Sequence, residues 1–243
     1  MKVLVTGAAG FIGAAVCAEL KARGHWVRGA DLKHTPGTDE SLRGNLSSFN
    51  VAWRAVDGME AVVHLAATPW DADFIRKLAP NNIVAVYNVL ESSRQEGVKR
   101  VVLASSIQTV LGHKGPWPAT PAMLPAPRNL YGVTKLFAEH AGEVYAHQHG
   151  LSVIAVRVGW CPRTADDARS VGRSGFGRDI YLSPRDAGRF FACAVEARCP
   201  VLFAALYATS KPVRKMRYDL RPARKLIGYE PLDTYPAGTE TLR

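Results

Sequence analysis

The chain has 243 residues, of which 47% are hydrophobic and 21% are charged, and its formal net charge is +10. This composition excludes a largely disordered protein and predicts one globular core, alone or with a small lobe. No apolar run approaches the roughly 20 residues of a membrane helix, and no secretory signal opens the chain, so we expect a cytoplasmic protein with no membrane partner. The cysteines and histidines lack metal-ligand spacing, so no metal site is predicted.

Short apolar runs alternate with helical patterns along the first two thirds of the chain. In chain order, the patterns predict a strand over 2–6, a helix over 10–23, strands over 25–31 and 61–67, a helix over 81–96, a strand over 99–106, a helix over 130–149 and a strand over 151–157. Nearly continuous apolar strands that alternate with helices are typical of a parallel sheet covered on both faces. The sequence therefore predicts an α/β fold with a doubly wound parallel sheet.

A glycine motif, Gly7-x-x-Gly10-x-x-Gly13, follows the first predicted strand and opens the first predicted helix. In that position Gly7 permits a tight turn, Gly10 lets a pyrophosphate approach the backbone, and Gly13 lets the helix pack closely on the sheet. Asp31 ends the second predicted strand, where a carboxylate binds the ribose hydroxyls and repels a 2′-phosphate. The motif predicts a Rossmann fold that binds NAD, with NADP as the alternative because basic residues follow Asp31.

Tyr131 and Lys135 lie four positions apart on the long predicted helix, so both side chains leave the same helix face. A nearby ammonium favours a phenolate and lowers the pKa of a tyrosine, which makes it usable as a base. Ser105 and Ser106 end a central predicted strand, at the sheet edge where such folds bind ligands. A serine hydroxyl at this edge can hydrogen-bond the substrate oxygen whose proton Tyr131 removes.

In this order, the glycine motif, Asp31, His64-Leu65-Ala66-Ala67, Asn82, Ser105-Ser106 and Tyr131-x-x-x-Lys135 resemble the extended short-chain dehydrogenase/reductase superfamily of the NAD-dependent epimerase/dehydratase type. The resemblance implies an NAD-dependent oxidoreductase that acts on a CH–OH group of a small substrate. It implies that Ser106, Tyr131 and Lys135 are catalytic. The cofactor contacts that it implies are Gly7, Ala9, Gly10, Phe11, Ile12, Gly13, Asp31, Leu32, Asn45, Leu46, Leu65, Ala66, Ala67, Asn82, Tyr131 and Lys135.

The segment that begins Arg157-Val158-Gly159-Trp160-Cys161-Pro162 is similar to uronate dehydrogenases, which oxidise the C1 hydroxyl of a hexuronate. This likeness implies that Arg169 pairs with the sugar carboxylate, and that Ser106, Gln108 and Trp160 also contact the substrate. The chain departs from that pattern where it has Pro69, Ile107 and Trp160 in place of polar side chains. Because apolar walls leave sugar hydroxyls unpaired, we expect a less polar hydroxy or oxo substrate, with or without an acid group.

The strand and helix alternation weakens after Gly159, and five prolines make residues 112–128 a predicted exposed loop. We therefore expect residues 1–160 to form the NAD-binding Rossmann domain. Residues 161–243 are predicted to form a small C-terminal substrate lobe that does not fold independently.

Two other functions remain open from the sequence. One is a sugar epimerase or dehydratase that retains its NAD and recycles the hydride. The other is a non-catalytic NAD- or RNA-binding relative that uses the basic stretch 198–225, which holds eight basic side chains and one acid. No RNA-binding motif accompanies that stretch and a pure binder needs no phenolate, so we do not expect nucleic acid to be a partner.

In the resembled family, the helices that match 82–96 and 131–149 pair across a two-fold axis, which implies a homodimer. Apolar residues that could serve this contact are Val86, Val89 and Leu90 on the first helix and Leu136, Phe137, Val144 and Tyr145 on the second.

Overall fold

The structure is a computed structural model that describes residues 1–115, 117–198, 201–240 and 242. The five other positions fall in the predicted proline-rich loop, the basic stretch and the C-terminal lobe, and lie outside the described residues. Within the described part of the chain, no helix has the length and apolar character needed to cross a membrane.

Seven parallel strands form a single sheet in the order β3-β2-β1-β4-β5-β6-β7. The strands are β1 (Lys2–Thr6), β2 (Trp26–Asp31), β3 (Glu40–Arg43), β4 (Ala61–His64), β5 (Arg100–Ser106), β6 (Ser152–Val158) and β7 (Phe203–Ala208). The order reverses between β1 and β4, which opens a crevice at the carboxyl ends of these strands. The predicted doubly wound parallel sheet is confirmed.

Helices cover both faces of the sheet. They are α1 (Phe11–Ala22), α2 (Phe49–Val56), α3 (Ala85–Gln95), α4 (Leu130–His149), α5 (Ala165–Arg173), α6 (Gly175–Asp179), α7 (Pro184–Glu196) and α8 (Arg221–Ile227). One apolar core lies between the sheet and α1, α7 and α8, and a second lies between the sheet and α2, α3 and α4. Fully buried Val and Leu side chains of the strands contribute to both cores, as parallel strands covered on two faces require.

The helix that the sequence predicts over 81–96 begins earlier. A wider, π-type helical segment spans Phe74–Val84 and continues into α3, with Pro80 inside it. The side chain of Asp73 accepts a hydrogen bond from the backbone N–H of Arg76 and so caps its start. Pro80 concealed this start, because a proline inside a helical pattern usually marks a helix boundary.

Residues beyond the expected boundary between 160 and 161 also contribute to the sheet and to the helices that cover it. β7 pairs with β6 along its length, and α7 packs against α1, so α7 and β7 belong to the main layers. A third, smaller core does lie over the carboxyl ends of the strands. It combines the predicted proline-rich loop with later segments and contains Ile107, Val110, Ala119, Ile180, Tyr207, Tyr218 and Leu220.

Candidate active site

One cavity of about 630 Å³ runs along the carboxyl ends of β1, β4, β5 and β6. The glycine motif and Asp31 line one end of it, and Tyr131, Lys135 and Ser106 line the middle. Most other predicted site residues also line it, namely Phe11, Ile12, Leu32, Asn45, Leu46, Leu65, Ala66, Ala67, Gln108 and Trp160. The topology thus brings residues that are distant in sequence into one crevice.

The glycine turn between β1 and α1 is tightly packed. Gly7 has φ +68°, and a Cβ there would lie 2.8 Å from the backbone nitrogen of Ala66. A Cβ on Gly13 would collide with the carbonyl oxygen of Gly7, so α1 approaches the turn this closely only because residue 13 is glycine. Free backbone N–H groups at the start of α1 and its dipole suit a pyrophosphate.

Asp31 holds this turn as well as lining the cavity. One carboxylate oxygen accepts a hydrogen bond from the backbone N–H of Ala9 at 3.1 Å. The other accepts one from the backbone N–H of Lys33, also at 3.1 Å. Ala9 is not among the residues that line the cavity, and its backbone N–H positions Asp31 through this hydrogen bond. A carboxylate at this place suits two ribose hydroxyls.

The far end of the cavity is shaped by a short loop after β3. The side chain of Asn45 accepts a hydrogen bond from the backbone N–H of Ser47, which orients the loop. Buried Asn88 donates a hydrogen bond to the carbonyl oxygen of Leu46 at 2.9 Å. Sequence reasoning missed Asn88, because a lone asparagine within an apolar helix carries no motif.

Asn82 lies behind the cavity wall instead of in its lining, which differs from the expected cofactor contact. Its amide donates to the carbonyl oxygen of Thr68 and to the hydroxyl of Thr134, and its carbonyl accepts from the backbone N–H of Thr68. These bonds satisfy a fully buried amide and tie the loop after β4 to α4. Neighbouring Asn81 lines the cavity in its place.

Tyr131 and Lys135 share one face of α4, as the spacing predicts. The Lys135 Nζ lies over the Tyr131 ring, 5.6 Å from its centroid, and donates to the carbonyl oxygen of Ala104 at 2.9 Å. Burial raises the pKa of Tyr131 to about 12, against the opposing effects of the Arg163 charge and a hydrogen bond with Ser106. Burial outweighs these opposing effects, so the net lowering that the spacing predicts is not found.

Lys135 is itself buried, and its environment disfavours its charge. Burial and the nearby positive charge of Arg163 lower its pKa from 10.5 to about 8. Arg163 therefore acts on both central residues, and the sequence analysis did not single it out. The signal was weak, because Arg163 stands in a polar loop with several other charged residues.

A buried ion pair supports the site from behind. Glu139, four residues after Lys135 on α4, accepts hydrogen bonds from the Ser105 hydroxyl at 2.5 Å and from the Arg157 guanidinium at 2.8 and 2.9 Å. Arg157 also donates to the carbonyl oxygen of Pro121 and to the Tyr207 hydroxyl. The pair joins α4, β5, β6 and the proline-rich loop at the level of Ser106.

Arg169 does not reach the cavity. Its guanidinium is exposed on α5 and pairs with Asp166, three residues before it on the same helix. This local pair keeps the side chain on the outer surface of α5, away from Tyr131. The predicted acid-binding role thus finds no geometric support at Arg169, whereas Arg163, at the loop before α5, lines the cavity.

The residues at the first half of the cavity fit a dinucleotide. The glycine turn leaves space that a Cβ would fill, backbone N–H groups open α1, and Asp31 stands at the end of β2. NAD would be held by these groups, with Lys135 and Tyr131 at its reactive end.

Comparison with known proteins agrees with this geometry. Residues 3–160 match the model of the NAD dependent epimerase/dehydratase family. The chain is similar to the NAD-dependent glucose-6-phosphate dehydrogenase of Haloferax volcanii, with 30% identity over 95% of this chain and 93% of that protein. It is also similar to the L-arabinose 1-dehydrogenase (NAD(P)(+)) of the same organism, with 32% identity over 96% of each chain.

A solved structure of uronate dehydrogenase from Agrobacterium tumefaciens in complex with NAD superposes with a TM-score of 0.78. The two are 25% identical, and the alignment covers 96% of this chain and 84% of that one. The cofactor of this chain is NAD, as the relatives and this complex support. The chain belongs to the NAD-dependent epimerase/dehydratase family and is an NAD-dependent oxidoreductase of that family.

Proposed function

We propose that the protein oxidises a secondary CH–OH group of a small substrate and releases reduced NAD. The observation that carries this proposal is the meeting of Tyr131, Lys135 and Ser106 in the cavity that also contains the glycine turn and Asp31. When bound, NAD supplies the hydride acceptor.

Each of the three central side chains has a distinct role in this reaction. Tyr131, as the phenolate, accepts the hydroxyl proton during oxidation, and the phenol that forms returns the proton during reduction. Ser106 orients the reacting oxygen by hydrogen bonding and also bonds to the Tyr131 phenol. Lys135 lies over the Tyr131 ring and supplies positive charge, which stabilises the phenolate that accepts the proton.

The substrate is small and sits between β5, β6 and the loop after β4. The relatives act, by their names, on glucose 6-phosphate, L-arabinose and uronates. These compounds form the first panel to test. Less polar hydroxy acids are added to it, because Pro69, Ile107 and Trp160 make this end of the cavity more apolar than a polyol prefers.

The test compares wild type with Tyr131→Phe. We expect the variant to form reduced NAD at least about 100-fold more slowly with any active substrate, since general acid–base catalysis contributes about 10²–10⁴-fold. NAD affinity, measured by titration calorimetry, should stay within about threefold. Tyr145→Phe, on the same helix but outside the cavity, serves as the control and should keep the wild-type rate. Equal rates for Tyr131→Phe and wild type would contradict the proposal.

An NAD-retaining epimerase is the second candidate. It is favoured by similarity to the UDP-glucose 4-epimerase of Corynebacterium glutamicum, which is 32% identical over 65% of this chain and 50% of that protein. The dehydrogenase is the stronger candidate, because the alignment covers only half of that epimerase. The two dehydrogenases of Haloferax volcanii align over nearly their whole lengths.

We also infer that the protein is a homodimer through the two predicted helices, with a different face of the first helix from the one predicted. Val86, Val89 and Leu90 are buried against the sheet and cannot reach a partner. The outward face of these helices instead carries exposed apolar side chains, namely Val84, Tyr87, Leu130, Val133, Phe137 and Val144. We call these six side chains the apolar stripe, and a two-fold helix pairing would bury them.

A further inference from the structure

The end of the cavity beyond Tyr131 combines apolar walls with a cation. Its apolar lining consists of Pro69, Trp70, Ile107, Leu111, Trp160, Phe176 and Ile180. Apart from Ser106 and Tyr131, polar groups at this end come from the Gln108 amide and the Arg163 guanidinium. Such walls bind a flat apolar body well, and three of them are aromatic side chains that favour a ring.

A backbone hydrogen bond and the start of α5 fix the position of Arg163 at the cavity mouth. It directly precedes Thr164, which caps α5, and its backbone N–H donates to a carboxylate oxygen of Asp167 at 3.2 Å. The guanidinium is exposed and lies 5.9 Å from the centre of the Trp70 ring, across the mouth. Among the described residues no carboxylate lies within ion-pair distance of it, whereas Arg169 is paired with Asp166.

Two further observations tie Arg163 to the reacting end of the cavity. Its charge acts on both Tyr131 and Lys135, which places it within electrostatic range of the reaction centre. Trp70, its aromatic partner, has φ 67°, a left-handed conformation that is uncommon for a bulky residue and that tends to occur at ligand sites.

We propose that Arg163, with Trp70, binds the carboxylate of a hydroxy acid whose body is apolar and aromatic rather than a polyol. The inference rests on the proposed function, because Tyr131 and Ser106 are taken to meet the hydroxyl of the same molecule. A guanidinium binds a carboxylate through two parallel hydrogen bonds, and the apolar walls would leave the hydroxyl groups of a polyol unpaired.

The test measures binding to the NAD-loaded protein by titration calorimetry with three probes. Benzoate carries the charge and the ring, benzamide carries the ring alone, and gluconate carries the charge on a polyol. We expect benzoate to bind at least tenfold more tightly than either of the others. Arg163→Gln should reduce the affinity for benzoate to that for benzamide, and Arg163→Lys should restore only part of it.

Two matched variants locate the effect. Arg173→Gln, an exposed arginine on α5, should leave benzoate binding unchanged. Arg169→Gln tests the rival assignment, and a loss of benzoate affinity there with none in Arg163→Gln would overturn the inference. NAD affinity in Arg163→Gln should match wild type.

Binding measurements on the wild-type protein distinguish a failure of this inference from a failure of the proposed function. A protein that binds NAD but does not prefer benzoate to both other probes overturns the hydroxy-acid assignment and leaves the dehydrogenase proposal standing. A protein that fails to bind NAD overturns the dehydrogenase proposal itself.

Discussion

At the scale of single residues, Asp31 has two separable effects. Its carboxylate fastens the glycine turn through the backbone of Ala9 and Lys33, and its negative charge faces the place where a 2′-phosphate would lie. We expect the charge to set the choice between NAD and NADP, whereas the hydrogen bonds set the shape of the turn. A substitution that keeps the size of the side chain and removes only its charge therefore tests the effect on cofactor choice alone.

We expect wild type to bind NAD at least about tenfold more tightly than NADP, and Asp31→Asn to reduce this ratio by about tenfold. Asparagine retains one acceptor oxygen, so NAD affinity should fall less than NADP affinity rises. Titration calorimetry with both cofactors measures the ratio. A wild-type protein with equal affinities, or a variant with an unchanged ratio, would show that Asp31 does not select the cofactor.

Several site residues were predictable because they stand at fixed spacings. Gly7, Asp31, Tyr131 and Lys135 each occupy a position that a local rule assigns, and the structure brings all of them to one cavity. Arg163 was not predictable, because its charge acts on Tyr131 and Lys135, which lie more than twenty positions away in the sequence.

At the scale of elements, α4 carries three residues that the site depends on at successive four-residue intervals. Tyr131 and Lys135 face the cavity, and Glu139 meets Arg157 behind it. Both members of that ion pair are nearly fully buried, and Arg157 also holds the carbonyl oxygen of Pro121. The pair thus fixes α4 against the strands and against the proline-rich loop.

Removing one member of a buried pair leaves the other charge without compensation. We expect Glu139→Gln to reduce the free energy of unfolding by about 3–5 kcal/mol, as measured by chemical denaturation. Glu143→Gln, one turn further along α4 with a side chain that is 44% exposed, should change it by less than about 0.5 kcal/mol. A similar small change in both variants would mean that the buried pair contributes little to stability.

The sequence predicted α4 with its observed bounds because Asn129 and Gly150 mark its two ends. It missed β3 and α2, and for identifiable reasons. β3 is a four-residue edge strand with polar residues, and α2 is a two-turn helix, so neither has enough length for a periodic signal. β7 was hidden by the small residues Ala204 and Ala205, which lack the bulk typical of strands.

At the scale of the whole molecule, the excess positive charge is partly neutralised within the basic stretch. Arg217 pairs with Asp179, Arg221 with Asp219, and Arg224 with Glu230. These pairs involve three of the eight basic side chains of the stretch. A second surface feature is the exposed apolar stripe on α3, α4 and the preceding helical segment.

If that stripe forms a dimer, charges placed on it should separate the protomers. We expect the double variant Tyr87→Glu/Phe137→Glu to have half the wild-type mass by light scattering at micromolar concentration. Leu232→Glu, at an exposed leucine elsewhere on the surface, should keep the wild-type mass. A wild-type protein of monomer mass would contradict the dimer.

The central claim is that the cavity oxidises a CH–OH group and releases the reduced cofactor. The most direct measurement follows deuterium from the carbinol carbon of an active substrate, by mass spectrometry of the NAD pool in solution. We predict one deuterium in free reduced cofactor per molecule of substrate oxidised, with the rate at least about 100-fold lower in Tyr131→Phe. Product that retains the deuterium, with no reduced cofactor in solution, would contradict a dehydrogenase and establish the epimerase.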